Sequence, residues 1–194
     1  MPFSRSASTY TSEAFAAYPV SVVKDIWMSV PDDLAAILRQ ETTLVLPEFS
    51  AEVAWLLGTT IRELAIARKF SLVVDVRRFG NPQQQLFYCA LEGTTPDNQR
   101  WVARKIAVVA RFHKSSYHVG RLLEQSGLTF ADRYNLPEED YAAHGGCFPL
   151  RVANAGIVGA VTVSGLPQRE DHNLVVEALC SITGQDYGKL RLPE

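Results

Sequence analysis

The densest run of positive charge lies in the middle of the chain. Between residues 100 and 118 the sequence has five lysine or arginine residues and no acidic residue. If one helix runs through this segment, its side chains are ~100° apart and the cations fall within an arc of about 80°. The members of this basic stripe are Arg100, Arg104, Arg111, Lys114 and His118. Such a stripe can bind the carboxylate or phosphate groups of a ligand or of an acidic partner.

Two other outcomes stay open for the basic stripe. Its cations can form a solvated helix face that pairs with the acids between Asp132 and Asp140. A helix break near His113 would separate the members of the stripe. Of the stripe, we select Arg104 and Arg111 as candidate ligand-binding residues.

Two histidines in the last third of the chain lie where the backbone can approach a ligand. His144 precedes Gly145 and Gly146, whose conformational freedom permits close contact, and its imidazole can act as a donor or base. His172 lies in the first turn of a predicted helix, where free N–H groups attract anions. We therefore hypothesise that His144, His172 and Arg104 face one pocket. The alternative is that the glycines form tight turns and the histidines bond to loops or a subunit interface.

Other catalytic and metal-binding patterns are not found in the sequence. His113 and His118 are five residues apart and so lie on different helix faces, and there is no HExxH motif. The three cysteines are widely spaced without a CxxC pair, which favours a reducing compartment. Neither a GxSxG elbow nor a glycine-rich phosphate loop is present. We predict no metal site from these patterns.

Length and composition indicate one folded domain. The chain has 194 residues, of which 47% are hydrophobic and 21% charged, as in ordinary globular proteins. A net charge of −2 argues against a dedicated nucleic-acid binder, which needs a surplus of lysine and arginine. No apolar run approaches the ~20 residues that span a bilayer, and no secretory signal is evident. We expect a cytoplasmic protein without nucleic-acid or membrane partners.

The predicted elements begin after an N-terminal arm at residues 1–30 and form a single domain over residues 31–194. A short helix is expected from Pro31 to Leu38, followed by a strand from Thr42 to Leu46. Ser50 is a plausible cap for a long helix that reaches Arg68, because apolar residues recur there at helical spacing.

The rest of the chain predicts a mostly antiparallel sheet with helices packed on it. The predicted strands cover residues 71–77, 86–91, 150–153 and 156–165. One helix should start at Thr95 and run towards Phe112, and another should follow Arg169 and end before Gly184. The segment from Thr129 to Tyr141 mixes acids, aromatics and a proline, which is typical of a structured loop.

Several motifs resemble those of a known superfamily. Two lie in the last third of the chain, namely His144-Gly-Gly-Cys-Phe-Pro-Leu-Arg and Gly159-Ala-Val-Thr-Val-Ser-Gly-Leu-Pro-Gln-Arg-Glu-Asp-His. Others are Gly93-Thr-Thr-Pro-Asp-Asn, Trp101, Arg104-Lys105 and Arg111-Phe-His. Together they resemble the haem-degrading-domain superfamily that includes the GlcG, HbpS and PduO C-terminal domains. The resemblance covers roughly residues 40–183.

The resemblance implies a profilin-like α/β sandwich, assembly into homo-oligomers and a small-molecule role that involves haem or a related ligand. The branch that these motifs match has no agreed substrate, and haem as a cofactor follows from the resemblance only. We therefore interpret the chain as a binding domain for an anionic small molecule. The alternative is a non-catalytic oligomeric adaptor for a protein partner.

Overall fold

The sheet has five strands and is antiparallel except at one edge. A computed structural model of the protein describes residues 29–193, so the predicted arm lies almost wholly outside the described residues. The strands are β1 (Val45–Leu46), β2 (Val73–Arg78), β3 (Gln84–Ala90), β4 (Cys147–Val152) and β5 (Gly156–Ser164). They are ordered β1-β4-β5-β2-β3, and the β1–β4 pair is parallel. The predicted mixed α/β fold with a mostly antiparallel sheet is confirmed.

Helices cover both faces of the sheet. They are α1 (Val30–Thr43), α2 (Ala51–Ala67), α3 (Pro96–Phe112), α4 (Ser116–Ser126), α5 (Phe130–Tyr134), α6 (Gln168–Thr183) and α7 (Tyr187–Leu190). Val74 and Val76 pack into the main core with α2 and α6, whereas Val73 packs with α3 on the opposite face. This alternation follows from the two-residue period of a strand. No helix within residues 29–193 is long and apolar enough to cross a membrane.

The predicted starts of two long helices are confirmed. Ser50 caps α2, and its Oγ accepts a hydrogen bond from Val53 N at 3.2 Å. Thr95 and Asn98 form a capping box at the start of α3, with Pro96 in its first turn. These caps satisfy N–H groups that have no partner inside the helix.

Of the outcomes left open for the basic stripe, the structure has the helix break near His113, so the stripe is not continuous. α3 ends at Phe112, His113 takes a left-handed conformation (φ 54°), and Ser115 caps the new helix α4. His118 is consequently in α4, where it is buried and its Nδ1 lies 2.9 Å from Glu41 Oε2. The members of the stripe that remain on one helix are Arg100, Arg104 and Arg111 of α3.

Three smaller predictions also need correction. Thr42 belongs to α1, where its Oγ1 donates to the carbonyl of Leu38 at 2.9 Å, so the predicted strand shrinks to β1. The loop predicted at residues 129–141 contains α5, which Thr129 and Asp132 start with a capping box. The C-terminal helix α7 was not predicted from the sequence.

α1 is attached to the domain through polar side chains as well as through the apolar cluster of Ile37 with Tyr117. Three of its five buried residues are Asp33, Gln40 and Glu41. Their partners are on other elements: Asp33 accepts from Arg169 at 2.7 Å, Gln40 Oε1 lies 2.8 Å from His172 Nε2, and Glu41 binds His118. Buried polar groups are stable only when paired, so each side of this contact needs the other.

Candidate functional site

A cavity of about 390 Å³ lies where the first turns of α3 and α6 meet the turn before β4. We call it the His144 cavity. α3 contributes Trp101 and Lys105, α6 contributes Asp171, and His144 lies on the preceding turn. These side chains come from distant parts of the chain, and the sheet brings them together because β4 and β5 are paired next to each other.

A buried ion pair forms the base of the His144 cavity. Lys105 Nζ lies 2.8 Å from Asp171 Oδ2 and donates to the carbonyl of Val163 at 3.1 Å. Asp171 Oδ1 accepts from Leu166 N at 3.0 Å. Burial raises the pKa of Asp171 to about 6, although the Lys105 ammonium acts in the opposite direction. An ammonium has three N–H donors, so Lys105 keeps one for a ligand in the cavity.

The rim of the cavity is made by an imidazole and an indole. The His144 ring is edge-on to Trp101, with centroids 5.1 Å apart, and Trp101 Nε1 donates to Asp97 Oδ2 at 3.0 Å. Arg104 lies on Trp101, with Cζ 4.6 Å from the ring centroid. Partial desolvation lowers the pKa of His144, and Lys105 and Arg104 lower it further. His144 therefore offers one donor and one acceptor at neutral pH.

Helix ends add positive potential to the cavity. α6 begins after Pro167, and no side chain caps its first turn. Gln168 of that turn borders the cavity, as do Thr95 and Asn98 at the start of α3. The N-terminal ends of helices carry partial positive charge, so both helices favour an anionic group at this position.

The structure brings two of the predicted site residues together. Arg104 and His144 both line a neighbouring cavity of about 210 Å³. Arg104 Nε donates to the carbonyl of Glu138 at 3.0 Å, so its partner in this region is backbone and not an acidic side chain. Arg111 is exposed further along α3, where its Cζ lies 5.9 Å from the centroid of Tyr141.

His172 does not line the His144 cavity. It is 1% exposed, and its ring packs against Tyr117 and Phe148 with centroids 5.1 and 5.8 Å away. Burial lowers the pKa of His172 to about 3, so the imidazole is neutral. Successive helix residues point ~100° apart, and on α6 this directs Asp171 into the cavity and His172 into the core. Arg104 and His144 thus line one cavity, the smaller of about 210 Å³, whereas Arg104 does not line the His144 cavity and His172 lines neither.

Other parts of the protein occupy the space beside Gly145 and Gly146. A Cβ at Gly145 would collide with the carbonyl of Gln168. Gly146 has φ 116°, and a Cβ there would lie 2.5 Å from the carbonyl of Val163 and 2.8 Å from Lys105 Nζ. The space that the sequence suggested for a ligand is filled at these two positions by the start of α6, the end of β5 and the Lys105 side chain.

Sequence reasoning missed Lys105 and Asp171 as a pair. A signal for Lys105 was present, because it lies on the same helix face as Val102 and Val109, which are fully buried. A lysine on an apolar face needs an acidic partner, and that requirement would have prompted a search for Asp171.

The sequence model of the family described as "Haem degrading protein HbpS-like" matches residues 49–180. The chain belongs to the HbpS-like haem-degrading protein family. This confirms the superfamily that the motifs resembled.

Curated relatives are also similar over nearly their full length. A UPF0303 protein of Acidobacterium capsulatum is 52% identical over 167 residues, which are 86% of this chain and 99% of that protein. A UPF0303 protein of Burkholderia thailandensis is 54% identical over 165 residues, 85% of this chain and 98% of that protein.

Solved structures show how this HbpS-like fold recurs. The crystal structure of the Ybr137w protein has a TM-score of 0.72 at 26% identity, and the match covers 78% of this chain and 87% of that one. HbpS has a TM-score of 0.54 at 17% identity, over 70% of this chain and 89% of that one. The PduOC:Heme complex has a TM-score of 0.58 at 14% identity, over 69% and 94%. The last two show the shared fold alone.

The His144 cavity of this HbpS-like chain does not fit haem. Haem needs an axial ligand beside an extended apolar wall. His144 could supply an imidazole, but most residues around the cavity are polar and its volume is about 390 Å³. His118 and His172 are buried and bound to Glu41 and Gln40. Within residues 29–193, no group of three or more His, Cys, Asp or Glu residues is arranged to hold a metal ion.

Proposed function

We propose that this protein binds a small anionic molecule in the His144 cavity. The observation that carries the proposal is the Lys105 ammonium, which is 3% exposed, lines the cavity and has one N–H donor beyond those used by Asp171 and Val163. A charge-assisted hydrogen bond to an acidic group of the ligand would satisfy this donor. The uncapped first turn of α6 stabilises the same negative charge.

The composition of the rim sets the ligand class. Asp97 and Asp171 also border the cavity, so a ligand with several negative charges would be repelled. Trp101 offers a flat apolar face, and neutral His144 offers a donor and an acceptor. We therefore infer a small monocarboxylate with a planar, otherwise neutral body.

A thermal-shift screen of small monocarboxylates, followed by calorimetric titration, tests this function. A ligand at 100 times its Kd stabilises the folded protein by about 2.7 kcal/mol, which is readily measured. His144→Ala and Trp101→Ala should weaken the best ligand by about tenfold or more, each through loss of one or two contacts. His113→Asn removes an exposed histidine from a left-handed position that asparagine tolerates, and it should bind as the natural protein does.

Two results would count against the proposal. One is a screen in which no monocarboxylate stabilises the protein. The other is a ligand whose affinity is unchanged in both rim variants. Haemin is titrated in parallel and followed by its absorbance. A spectral change that His144→Ala abolishes would show that the cavity opens to admit the macrocycle, contrary to the fit described above.

A separate surface favours the homo-oligomer that the adaptor alternative includes. Trp55 and Leu56 are adjacent on α2 and 64% and 52% exposed. The Trp55 ring contacts Phe87 of β3 edge-on at 5.7 Å, and β3 is an edge strand of the sheet. Exposed apolar side chains beside an open strand favour association. We propose that copies of this chain associate here, and that Trp55→Asp moves the light-scattering mass towards that of a monomer. An unchanged mass would contradict this interface.

A further inference from the structure

A larger cavity lies on the other side of the first turn of α6. Its volume is about 1040 Å³, and it is bounded by α4, the start of α1, the end of α2 and α7. We call it the Arg121 cavity. Gln168 borders both this cavity and the His144 cavity, but Lys105, His144 and Trp101 line only the latter. The two spaces are therefore separate sites.

Arg121 has unused hydrogen-bond donors in the wall of this cavity. Its side chain is 15% exposed, and Nη1 lies 3.0 Å from Glu124 Oε2 and 3.7 Å from Asp33 Oδ2. Its Nε is buried and has no partner among the described residues. A guanidinium carries five N–H donors in a planar fork, and the nearest approaches of Asp33 and Glu124 are both to Nη1. Arg121 can therefore accept a further anionic group.

Arg169 and Tyr117 complete the polar wall. The guanidinium carbons of Arg121 and Arg169 lie 4.9 and 5.9 Å from the centroid of the Tyr117 ring. Arg169 donates to Asp33 at 2.7 Å, so the two arginines share one buried carboxylate. The acids that line the cavity are Glu124, whose side chain is 53% exposed, and Glu170, which is also exposed, so water screens both charges. Asp33 is the buried acid among the three, so the charge of the two arginines is incompletely neutralised within the wall.

Apolar side chains form part of the remaining wall. Phe70, Leu174 and Tyr187 line the cavity together with polar residues such as Gln168 and Asn173. A cavity that combines an arginine fork with aromatic side chains suits an amphipathic ligand. We propose that the Arg121 cavity binds a second small molecule, an anion with an aromatic body, whose carboxylate or phosphate contacts the Arg121 fork.

Calorimetric titration of the full chain with phenyl phosphate, 2-naphthoate and inorganic phosphate tests the proposal. The two aromatic probes distinguish phosphate from carboxylate recognition, and inorganic phosphate tests the need for an aromatic body. Arg121→Lys keeps the charge but removes the fork, so an aromatic probe should bind about tenfold more weakly. Arg62→Lys, an exposed arginine of α2, is the matched control and should leave binding unchanged.

Other variants keep the outcome decisive. Tyr187→Ala should weaken the binding of the aromatic probes through lost packing. It is the alternative test variant if Arg121→Lys does not fold. His144→Ala should leave the binding of phenyl phosphate unchanged. 2-Naphthoate also belongs to the ligand class proposed for the His144 cavity, so phenyl phosphate is the probe that separates this site from the proposed function. The proposal is overturned if no aromatic probe binds at about 10 mM, where a millimolar Kd gives nearly full occupancy. It is also overturned if inorganic phosphate binds as tightly as phenyl phosphate, or if phenyl phosphate binding is lost in His144→Ala and kept in Arg121→Lys.

Discussion

Replacing His172 by glutamine tests how burial changes the pKa of an imidazole in this fold and, through it, the free energy of unfolding. His172 is 1% exposed and its Nε2 lies 2.8 Å from Gln40 Oε1. Burial lowers the pKa of His172 from 6.5 to about 3. Between these two pH values the unfolded chain binds a proton at this residue and the folded chain does not. The free energy of unfolding therefore falls as the pH falls through 6.5.

The size of the effect follows from the two pKa values. With 6.5 for the unfolded state and about 3 for the folded state, His172 alone lowers the free energy of unfolding by about 2 kcal/mol between pH 7 and pH 5. Asp171 acts in the opposite sense, because its folded pKa of about 6 lies above the ordinary 3.8. Its contribution to stability is present in acid and is lost as the pH rises through 6. The pH dependence of the free energy of unfolding of the natural protein therefore does not by itself reveal the contribution of His172.

The assay is urea unfolding at pH 7 and at pH 5, followed by circular dichroism. His172→Gln keeps a donor for Gln40 but has no titratable group, so its stability relative to the natural protein should improve by about 2 kcal/mol on going to pH 5. At pH 7 it should be less stable by about 1–3 kcal/mol, since the packing and the hydrogen bond are altered. His113→Asn, which removes an exposed histidine, is the control. If the difference between natural and His172→Gln proteins is the same at both pH values, the argument from burial is wrong.

Three further substitutions test other parts of the structure. Lys105→Met leaves the Asp171 carboxylate buried without its cation and should lower the free energy of unfolding by about 3–5 kcal/mol in urea, whereas adding Asp171→Leu should recover most of this loss. Equal stabilities of the single and double variants would contradict it. Gly146→Ala, at φ 116°, should cost about 2 kcal/mol or more, measured by thermal unfolding, and a neutral result would contradict the reported clash. Arg68→Ala removes a bidentate pair with Glu177 in which the side chains are 41% and 19% exposed, and it should lower the free energy of unfolding in urea by about 1 kcal/mol.

Elements with local signals were predictable from the sequence. The caps at Ser50 and Thr95 act within three residues of a helix start, so the sequence contains all that defines them. The break after Phe112 was harder, because His113 and Ser115 sit among residues that also suit a continuous helix. Thr42 was assigned to the strand that Pro47 ends, but buried contacts of Gln40 and Glu41 in the last turn of α1 keep it helical.

The candidate site was predictable only in part. His144 and Arg104 were selected because their residue types and neighbours indicated chemistry. Lys105 and Asp171 are 66 residues apart, and no local rule pairs them. The choice of His172 over Asp171 depended on the rotation of α6 about its axis, which the sequence does not determine to within one residue.

The polar attachment of α1 sets the limits of the folding unit. The family match begins at residue 49, after α1 has ended. A chain trimmed to residues 49–180 would nevertheless expose the Tyr117 ring and strip His118, Arg169 and His172 of the acceptors that α1 supplies. The segment that the family model matches is therefore shorter than the segment that folds stably. We expect the shortest stable version of this protein to start before Asp33.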